Sequence, residues 1–214
     1  LKSPLSPILG YSELLLDEKA SLTDEARRTF TQMIADNARR MGNIIDELLL
    51  LARMRQSELK THPLDMAAIV QDALDRLAYL ISEYKAEIVV ADSWPAAMGY
   101  APWVVEVWVN YISNGLKYGG NPPRVELGAD VLPDGTPRFW ARDNGAGLTA
   151  EEQALLFTPF TQLSEGHVEG HGLGLSIVQR IVERLSGTVG VESEPGQGSL
   201  FYFTLPPVPA SDAV

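Results

Sequence analysis

The sequence predicts two domains in series, an all-α helical hairpin followed by an α/β sandwich. The first part of the chain shows helical apolar spacing and no strand-like run, whereas the second part alternates helical segments with short apolar runs. A polar stretch ending in proline, 57–63, separates the two parts. The chain is 45% hydrophobic and 21% charged, which is enough to build packed cores. We expect a hairpin domain at 1–60, a second domain at 61–208 and a tail at 209–214.

The hairpin is predicted from apolar residues at helical spacing over 1–18 and from a second, longer helix that Thr23 and Asp24 cap. Positions of the second helix that step by three and four form a heptad-like stripe: Phe30, Ile34, Asn37, Met41, Ile44, Leu48, Leu51 and Arg55. A hairpin alone cannot bury both of its apolar stripes, so pairing of two hairpins into a dimeric four-helix bundle is predicted. The alternative is a hairpin packed on its own C-terminal domain, and the heptad-like stripe favours the homodimer.

The second domain is predicted to hold one mixed, mostly antiparallel sheet covered by helices on one face. Helices are predicted over 65–84, 101–118, 150–156 and 175–185, the last ended by Gly187, and strands over 87–91, 124–132, 138–142, 188–192 and 200–205. Residues 162–172 are polar and glycine-containing, which is typical of a mobile loop. His62 stands beside Pro63 in the segment between the domains and is expected to be an exposed linker residue.

Charge and composition exclude several functions. The net charge of −11 argues against nucleic acid as a partner, because phosphate backbones are bound by basic surfaces. The chain has no cysteine, so disulfides and thiolate chemistry are excluded and a cytoplasmic location is expected. No apolar run is long enough to span a membrane, and we expect no membrane contact from this chain. The sequence begins in the middle of a helical pattern and without Met, so we expect it to be a piece of a longer protein. Whether that longer protein is anchored in a membrane does not follow from these residues.

One predicted helix carries polar residues on an otherwise apolar segment. Asn110 and Asn114 are four residues apart and share a face, and Lys117 lies three residues further on. Polar side chains at such positions are costly unless they are used. Amide oxygens suit Mg²⁺, which also takes phosphate oxygens, and a lysine neutralises phosphate charge. The alternative is that Asn114 and Lys117 mark the hydrated face near the end of the helix.

Two glycine clusters follow. Asp143 ends a strand and opens into Gly145 and Gly147, where backbone can approach a flat ligand while the acid accepts a hydrogen bond from it. Taken alone, this pattern also fits a tight turn. The second cluster, 170–174, leads directly into a helix, whose first N–H groups attract an anion. It has neither the spacing nor the lysine of a Walker loop.

These motifs together resemble the catalytic part of the sensor histidine kinases of two-component signalling. Residues 110–118 are similar to the N box of that family, 143–147 to its G1 box, 156–160 to its F box, 170–175 to its G2 box, and 196–199 to its last glycine turn. The nucleotide fold implied by the resemblance is the one shared with Hsp90-, gyrase- and MutL-type ATPases. The upstream hairpin resembles the dimerisation and phosphotransfer domain, and residues 1–14 resemble the sequence that follows the phosphoacceptor.

The resemblance implies an ATP-dependent protein-histidine kinase that uses ATP and Mg²⁺, forms a homodimer and passes phosphate to the receiver domain of a response regulator. Asp143 would accept from the adenine amino group, and Asn114 would ligate Mg²⁺. The remaining residues implied to contact the nucleotide are Asn110, Lys117, Tyr118, Gly145, Gly147, Gly172, Leu173, Gly174 and Leu175. Residues 162–170 would form the lid. Such a site works by positioning and charge neutralisation, as phosphoryl transfer requires.

The pattern departs from the family where the phosphoacceptor is expected. The histidine would lie two positions before Leu1 and its acidic neighbour one position before, and none of His62, His167 and His171 fits that role. No catalytic residue is therefore assigned, and we expect this chain alone to bind ATP without autophosphorylating. Gln162 stands where many relatives have an arginine. Ser3 stands where a threonine or asparagine often supports phosphatase action.

Two other functions remain open from the sequence. One is an ATP-driven conformational clamp of the Hsp90 or MutL kind, and the other is a non-catalytic dimerisation and docking module. The helical hairpin and the short stretch after the last strand favour the kinase over the clamp.

Overall fold

The structure is a computed structural model that describes residues 2–17, 22–56, 60–157 and 174–209. The chain divides into two compact units, Leu1–Ser57 and Glu58–Val214. In chain order, the described elements are α1 (Lys2–Leu16), α2 (Asp24–Gln56), β1 (His62–Pro63), α3 (Met66–Tyr84), β2 (Glu87–Val90), β3 (Met98–Gly99), α4 (Ala101–Tyr118), β4 (Arg124–Val131), β5 (Pro137–Asp143), α5 (Ala150–Leu155), α6 (Gly174–Arg184), β6 (Val189–Ser193) and β7 (Ser199–Thr204). Among the described helices, none is both long and apolar enough to cross a bilayer.

The first unit is the predicted helical hairpin of α1 and α2. The amide of Ala26 donates to Thr23 Oγ1 at 3.2 Å, so Thr23 caps α2 as predicted. The two helices pack along half-buried side chains, and the rings of Tyr11 and Phe30 stack with centroids 5.1 Å apart. The C-terminal members of the predicted stripe, Ile44, Leu48, Leu51 and Arg55, lie outside the described side chains.

Part of the apolar surface of α1 does not face α2. Leu5, Leu9 and Leu16 are 40%, 54% and 80% exposed. At 100° per residue these three positions fall within about 40° of one another around the helix axis. The hairpin therefore presents a second apolar stripe that its own packing leaves exposed.

The second unit contains a five-stranded sheet in the order β2-β4-β5-β7-β6. β2 pairs with β4 in parallel and the other neighbours are antiparallel, which confirms the predicted mixed, mostly antiparallel sheet. A second, two-stranded pairing joins β1 to β3 and was not predicted, because two-residue strands show no periodicity. His62 is exposed as expected, but it belongs to β1 rather than to an unstructured linker.

Helix α4 is the central packing element of the second unit. Its Trp108 and Tyr111 are buried against the aromatic rings of β7, with Trp108 and Phe203 centroids 5.4 Å apart. The Tyr111 hydroxyl donates to the Tyr202 carbonyl at 3.0 Å, and burial raises the pKa of Tyr111 strongly. These contacts fix the rotation of α4 about its axis. The polar stripe of the same helix is thereby held in one orientation.

The end of α6 differs in detail from the prediction. The helix ends at Arg184, and Ser186, with φ of 63°, takes the left-handed conformation that was expected of a glycine cap. Gly187 is needed for a different reason. A Cβ there would lie 1.9 Å from the Thr204 carbonyl oxygen, so the glycine allows the chain to pass against β7.

Candidate functional site

The polar stripe of α4 is organised by one hydrogen bond. Asn114 Nδ2 donates to Asn110 Oδ1 at 3.2 Å, and both side chains are half-buried. Asn114 Oδ1 accepts no hydrogen bond from the residues that the structure describes. The Asn114 carboxamide is thus oriented by one N–H group, and its oxygen is available to a ligand. A hard cation such as Mg²⁺ requires an oxygen ligand of this kind.

The N-terminus of α6 lies against this stripe. A Cβ on Gly174 would stand 2.2 Å from Asn110 Nδ2, so the glycine permits a close approach that no other residue allows. Helix α6 has 11 residues and starts at Gly174, so its first backbone N–H groups point away from the helix body beside the two asparagines. Two motifs separated by about sixty residues of sequence are therefore adjacent in space.

Asp143 ends β5 and is 8% exposed. Its Oδ1 accepts from the amide of Gly145 at 2.8 Å and from the amide of Ser199 at 3.2 Å. In the described part of the chain, Oδ2 has no hydrogen-bond donor. Burial raises the pKa of this carboxyl, and the two amides act in the opposite direction. A buried carboxylate oxygen without a donor is costly, so it indicates a ligand that donates a hydrogen bond.

The glycines after Asp143 pack backbone against backbone. A Cβ on Gly145 would stand 2.2 Å from the carbonyl oxygen of Tyr118, the last residue of α4. Gly147 has φ of 69°, and a Cβ there would meet the Glu194 carbonyl oxygen at 2.0 Å. The loop after β5 is therefore pressed between the end of α4 and the β6–β7 turn.

The other predicted residues fall around the same surface. Lys117 is half-buried in the last turn of α4, and Leu175 is half-buried in the first turn of α6. Tyr118 is 45% exposed at the end of α4, and partial burial raises its pKa. Gly172 and Leu173 lie outside the described residues, as do Gln162, His167 and His171. Within the described ranges no group of three or more acidic, histidine or cysteine side chains is placed to bind a metal.

Sequence reasoning missed the residues that hold the loop after β5. Asn144 accepts a hydrogen bond from the Gly120 amide in the segment after α4. Ser193 Oγ accepts from the Leu148 amide at 2.9 Å and donates to the Gly198 carbonyl at 2.8 Å. Gln153 Nε2 donates to the carbonyls of Leu148 and Ser193 at 3.0 and 2.9 Å. Only the capping box that starts α5 had a sequence signal.

Helix α4 connects the two halves of the site. Its residue Asn110 touches Gly174, and its residue Tyr118 touches Gly145. These residues are eight positions apart, or about 12 Å along the helix axis. The site thus offers a buried hydrogen-bond acceptor and the ammonium group of Lys117 near the Tyr118 end, the amide oxygen of Asn114 midway, and a helix N-terminus at the Asn110 end. That arrangement suits a ligand with a flat, hydrogen-bond-donating group and a polyanionic tail.

Family comparisons agree with this geometry. The family model for the histidine kinase-, DNA gyrase B- and HSP90-like ATPases matches residues 99–209, and the model for the His Kinase A (phospho-acceptor) domain matches residues 1–57. The matched ATPase segment contains α4, the Asp143 loop and α6, and the other segment is the helical hairpin. The chain belongs to the family of histidine kinase-like ATPases and, within it, to the sensor histidine kinases of two-component systems.

Curated relatives match nearly the whole length of this chain. The chain is 33% identical over 208 residues to cyanobacterial phytochrome B of Nostoc sp., covering 96% of this chain and 28% of that protein. It is 29% identical over 212 residues to the sensor histidine kinase ZraS of Klebsiella oxytoca, covering 96% of this chain and 44% of that protein. The chain therefore spans less than half the length of these two relatives.

Solved structures extend the likeness to the fold. Full-length ShkA in complex with AMPPNP superposes with a TM-score of 0.68 at 28% identity, covering 95% of this chain and 43% of that one. The histidine kinase ThkA in complex with the response regulator TrrA superposes with a TM-score of 0.74 at 16% identity, covering 97% of this chain and 60% of that one. At that lower identity, the second likeness shows the fold alone.

Proposed function

We propose that the second unit binds ATP with its adenine against Asp143. The observation that carries this proposal is Oδ2 of Asp143, which is buried and has no donor among the described residues, while Oδ1 is held by two backbone amides. The exocyclic amino group of adenine is a donor of the required kind. Gly145 and Gly147 keep the neighbouring surface free of side chains, so a flat base can approach it.

The triphosphate lies along the polar stripe of α4, from Lys117 towards Asn110, in this proposal. Asn114 supplies an amide oxygen to Mg²⁺, with Asn110 fixing its orientation, and Lys117 neutralises phosphate charge. When bound there, Mg²⁺ would offset the negative charge that develops on the phosphate during transfer. The N-terminus of α6 at Gly174 and Leu175 adds N–H groups towards the anion, and we assign Gly172 and Leu173 to the same role. Tyr118 contacts the nucleoside.

We propose that the site donates the γ-phosphate to a histidine of the hairpin domain, which passes it to an aspartate of a response regulator. Support comes from the phospho-acceptor domain model on residues 1–57. By the motif alignment, the acceptor position falls two residues before Leu1, and His62 is excluded because it lies on β1 of the other unit. The chain from Leu1 to Val214 is therefore expected to bind ATP without autophosphorylating.

We assign residues 1–60 to dimerisation and phosphotransfer, 61–208 to ATP binding, and 209–214 to a tail. The exposed stripe of Leu5, Leu9 and Leu16 supports a homodimer, because a second hairpin buries such a stripe in a four-helix bundle. Membership of the sensor histidine kinases of two-component systems supports the receiver domain of a response regulator as the phosphate acceptor. A reducing, ATP-rich cytoplasm is the proposed location.

A conformational clamp is the second candidate, since it shares the ATPase family. The hairpin matched by the phospho-acceptor model favours the kinase. A docking module without nucleotide gives no reason for the Oδ2 atom of buried Asp143, which has no donor in the described ranges.

Isothermal titration of Mg·ATP into the chain tests the proposal. One site per chain is expected, with a dissociation constant in the range of about 1 µM to 1 mM that is common for enzyme substrates. Asn114→Ala is expected to weaken binding in the presence of Mg²⁺ far more than in EDTA. Asp134→Ala, in the exposed β4–β5 turn, serves as the matched control and leaves binding unchanged. No binding by the folded wild-type chain at millimolar Mg·ATP contradicts the proposal.

A further inference from the structure

The segment that follows α4 is shaped around the side chain of Asn144. Asn144 Oδ1 accepts from the amides of Gly120 and Arg124 at 2.8 and 2.9 Å. Asn144 Nδ2 donates to the Pro122 carbonyl at 3.2 Å. One carboxamide thereby holds two backbone groups of the connection between α4 and β4 and the first amide of β4.

Close packing of two glycines also indicates that the segment after α4 is fitted to the Asn144 side chain. A Cβ on Gly120 would stand 2.8 Å from Asn144 Nδ2, and a Cβ on Gly119 would stand 3.3 Å from Asn144 Oδ1. The connection therefore lies flush against the carboxamide at both positions. Of the hydrogen bonds that the structure describes between residues 119–123 and 143–147, all run through Asn144.

The position of the Asn144 hydrogen bonds matters for the site. Asn144 directly follows Asp143, and Gly120 follows Tyr118 after a single residue. The Asn144 hydrogen bonds therefore connect the end of α4, which carries Lys117, to the end of β5, which carries the Asp143 carboxylate. The carboxylate of Asp143 has its own anchors, the amides of Gly145 and Ser199, and its orientation does not depend on the Asn144 side chain.

We propose that Asn144 is a positioning residue that fixes the distance between the base-binding and phosphate-binding parts of the site. The proposal rests on the proposed ATP-binding function. A ligand that spans both parts benefits from a fixed distance, because its second contact is then made without further ordering of the protein. A ligand that reaches only Asp143 gains nothing from it.

The test compares Mg·ATP with adenosine on the wild-type chain and on Asn144→Ala. The substitution is expected to raise the dissociation constant of Mg·ATP about tenfold, equivalent to about 1.4 kcal/mol. The dissociation constant of adenosine, followed by NMR titration, is expected to change less than about twofold, since a hydrogen-bond loss outside its contacts costs it little. Asn144 is exposed, so water replaces its hydrogen bonds and the fold is retained.

Asp134→Ala is the matched control, because Asp134 also accepts a backbone hydrogen bond in an exposed turn, from the Thr136 amide at 2.9 Å. That turn lies at the opposite end of β5 from Asp143. The control is expected to leave both ligands unaffected.

Three results overturn the inference. An unchanged affinity of Asn144→Ala for Mg·ATP shows that the distance is set elsewhere. An equal loss for ATP and adenosine, or a melting temperature that falls well below that of Asp134→Ala, shows a general structural role. A wild-type chain that binds no Mg·ATP removes the proposed function itself, and that titration is performed first so that the two failures are separated.

Discussion

Replacement of Asp143 by asparagine changes one atom of the base-binding group while keeping its shape. In Asp143→Asn the remaining Oδ1 still accepts from the amides of Gly145 and Ser199, so the side chain keeps its anchors and its orientation. The atom that replaces Oδ2 is an NH₂ group, which donates instead of accepting. The adenine amino group then meets another donor beside a residue that is only 8% exposed, where water has little access to bridge the two donors.

The size of the effect follows from this geometry. A hydrogen bond to a charged group contributes about 1.5–3 kcal/mol, and the opposed donors add the cost of an unsatisfied buried group, about 1–3 kcal/mol. Together these predict a loss of about 2.5–6 kcal/mol, at least about seventyfold in the dissociation constant of ATP. Stability at pH 7 is expected to be retained or increased, because burial penalises the carboxylate and an amide carries no charge.

Calorimetry of ATP binding and thermal unfolding on the same samples separate the two effects. Asp134→Asn is the control, since Asp134 lies in an exposed turn where the same substitution removes a charge without touching the site. Unchanged ATP affinity in folded Asp143→Asn would refute the assignment of the base to this carboxyl. A collapse of the melting temperature would instead show that the carboxylate holds the loop together.

Three further predictions follow from the same contacts. Gly174→Ala places a Cβ against Asn110, whose side chain has to turn away from Asn114. Mg·ATP affinity should then fall by severalfold, about 1 kcal/mol for one hydrogen bond, with the melting temperature unchanged, and full affinity would contradict the contact. Leu9→Glu should convert dimers to monomers in sedimentation experiments, whereas Tyr79→Glu, at an exposed residue of the other unit, should leave the dimer intact. If both variants remain dimers, the dimer interface does not include Leu9. Because the folded-state pKa of Asp143 is raised, protonation favours the folded state. The stability of the wild type relative to Asp143→Asn should therefore fall as pH rises from the ordinary aspartate pKa, about 3.9, through the raised value, as denaturant titrations at several pH values can measure.

Sequence patterns were sufficient for the elements with strong periodicity. The apolar spacing of α4 and the short apolar runs of β4 and β5 predicted these elements closely, because burial against a core imposes such patterns. The two-residue strands β1 and β3 were missed, since so short a pairing leaves no pattern. Asn114, Asp143 and Gly174, which the motifs imply, remain proposed nucleotide-binding or Mg²⁺-binding residues. The structure adds a geometric argument for assigning each of them.

The supporting contacts of the site could not be predicted. Asn144 lies inside a recognised motif, but its partners are backbone groups of residues 120–124, and no spacing rule connects a side chain to distant amides. Gln153 and Ser193 likewise bond carbonyl and amide groups of another segment. Gly187 was taken for a helix cap, whereas a tertiary contact with Thr204 requires it. Interactions of this kind depend on the three-dimensional arrangement rather than on local sequence.

Phosphate transfer from ATP tests the central claim most directly. A chain extended upstream of Leu1 is incubated with Mg²⁺ and γ-labelled ATP, alongside the same extended chain carrying Asp143→Asn. We expect acid-labile, base-stable label on a histidine in the added segment, and almost none in the variant. If the extended chain is folded and binds ATP but incorporates no label, it is not a histidine kinase of the proposed kind.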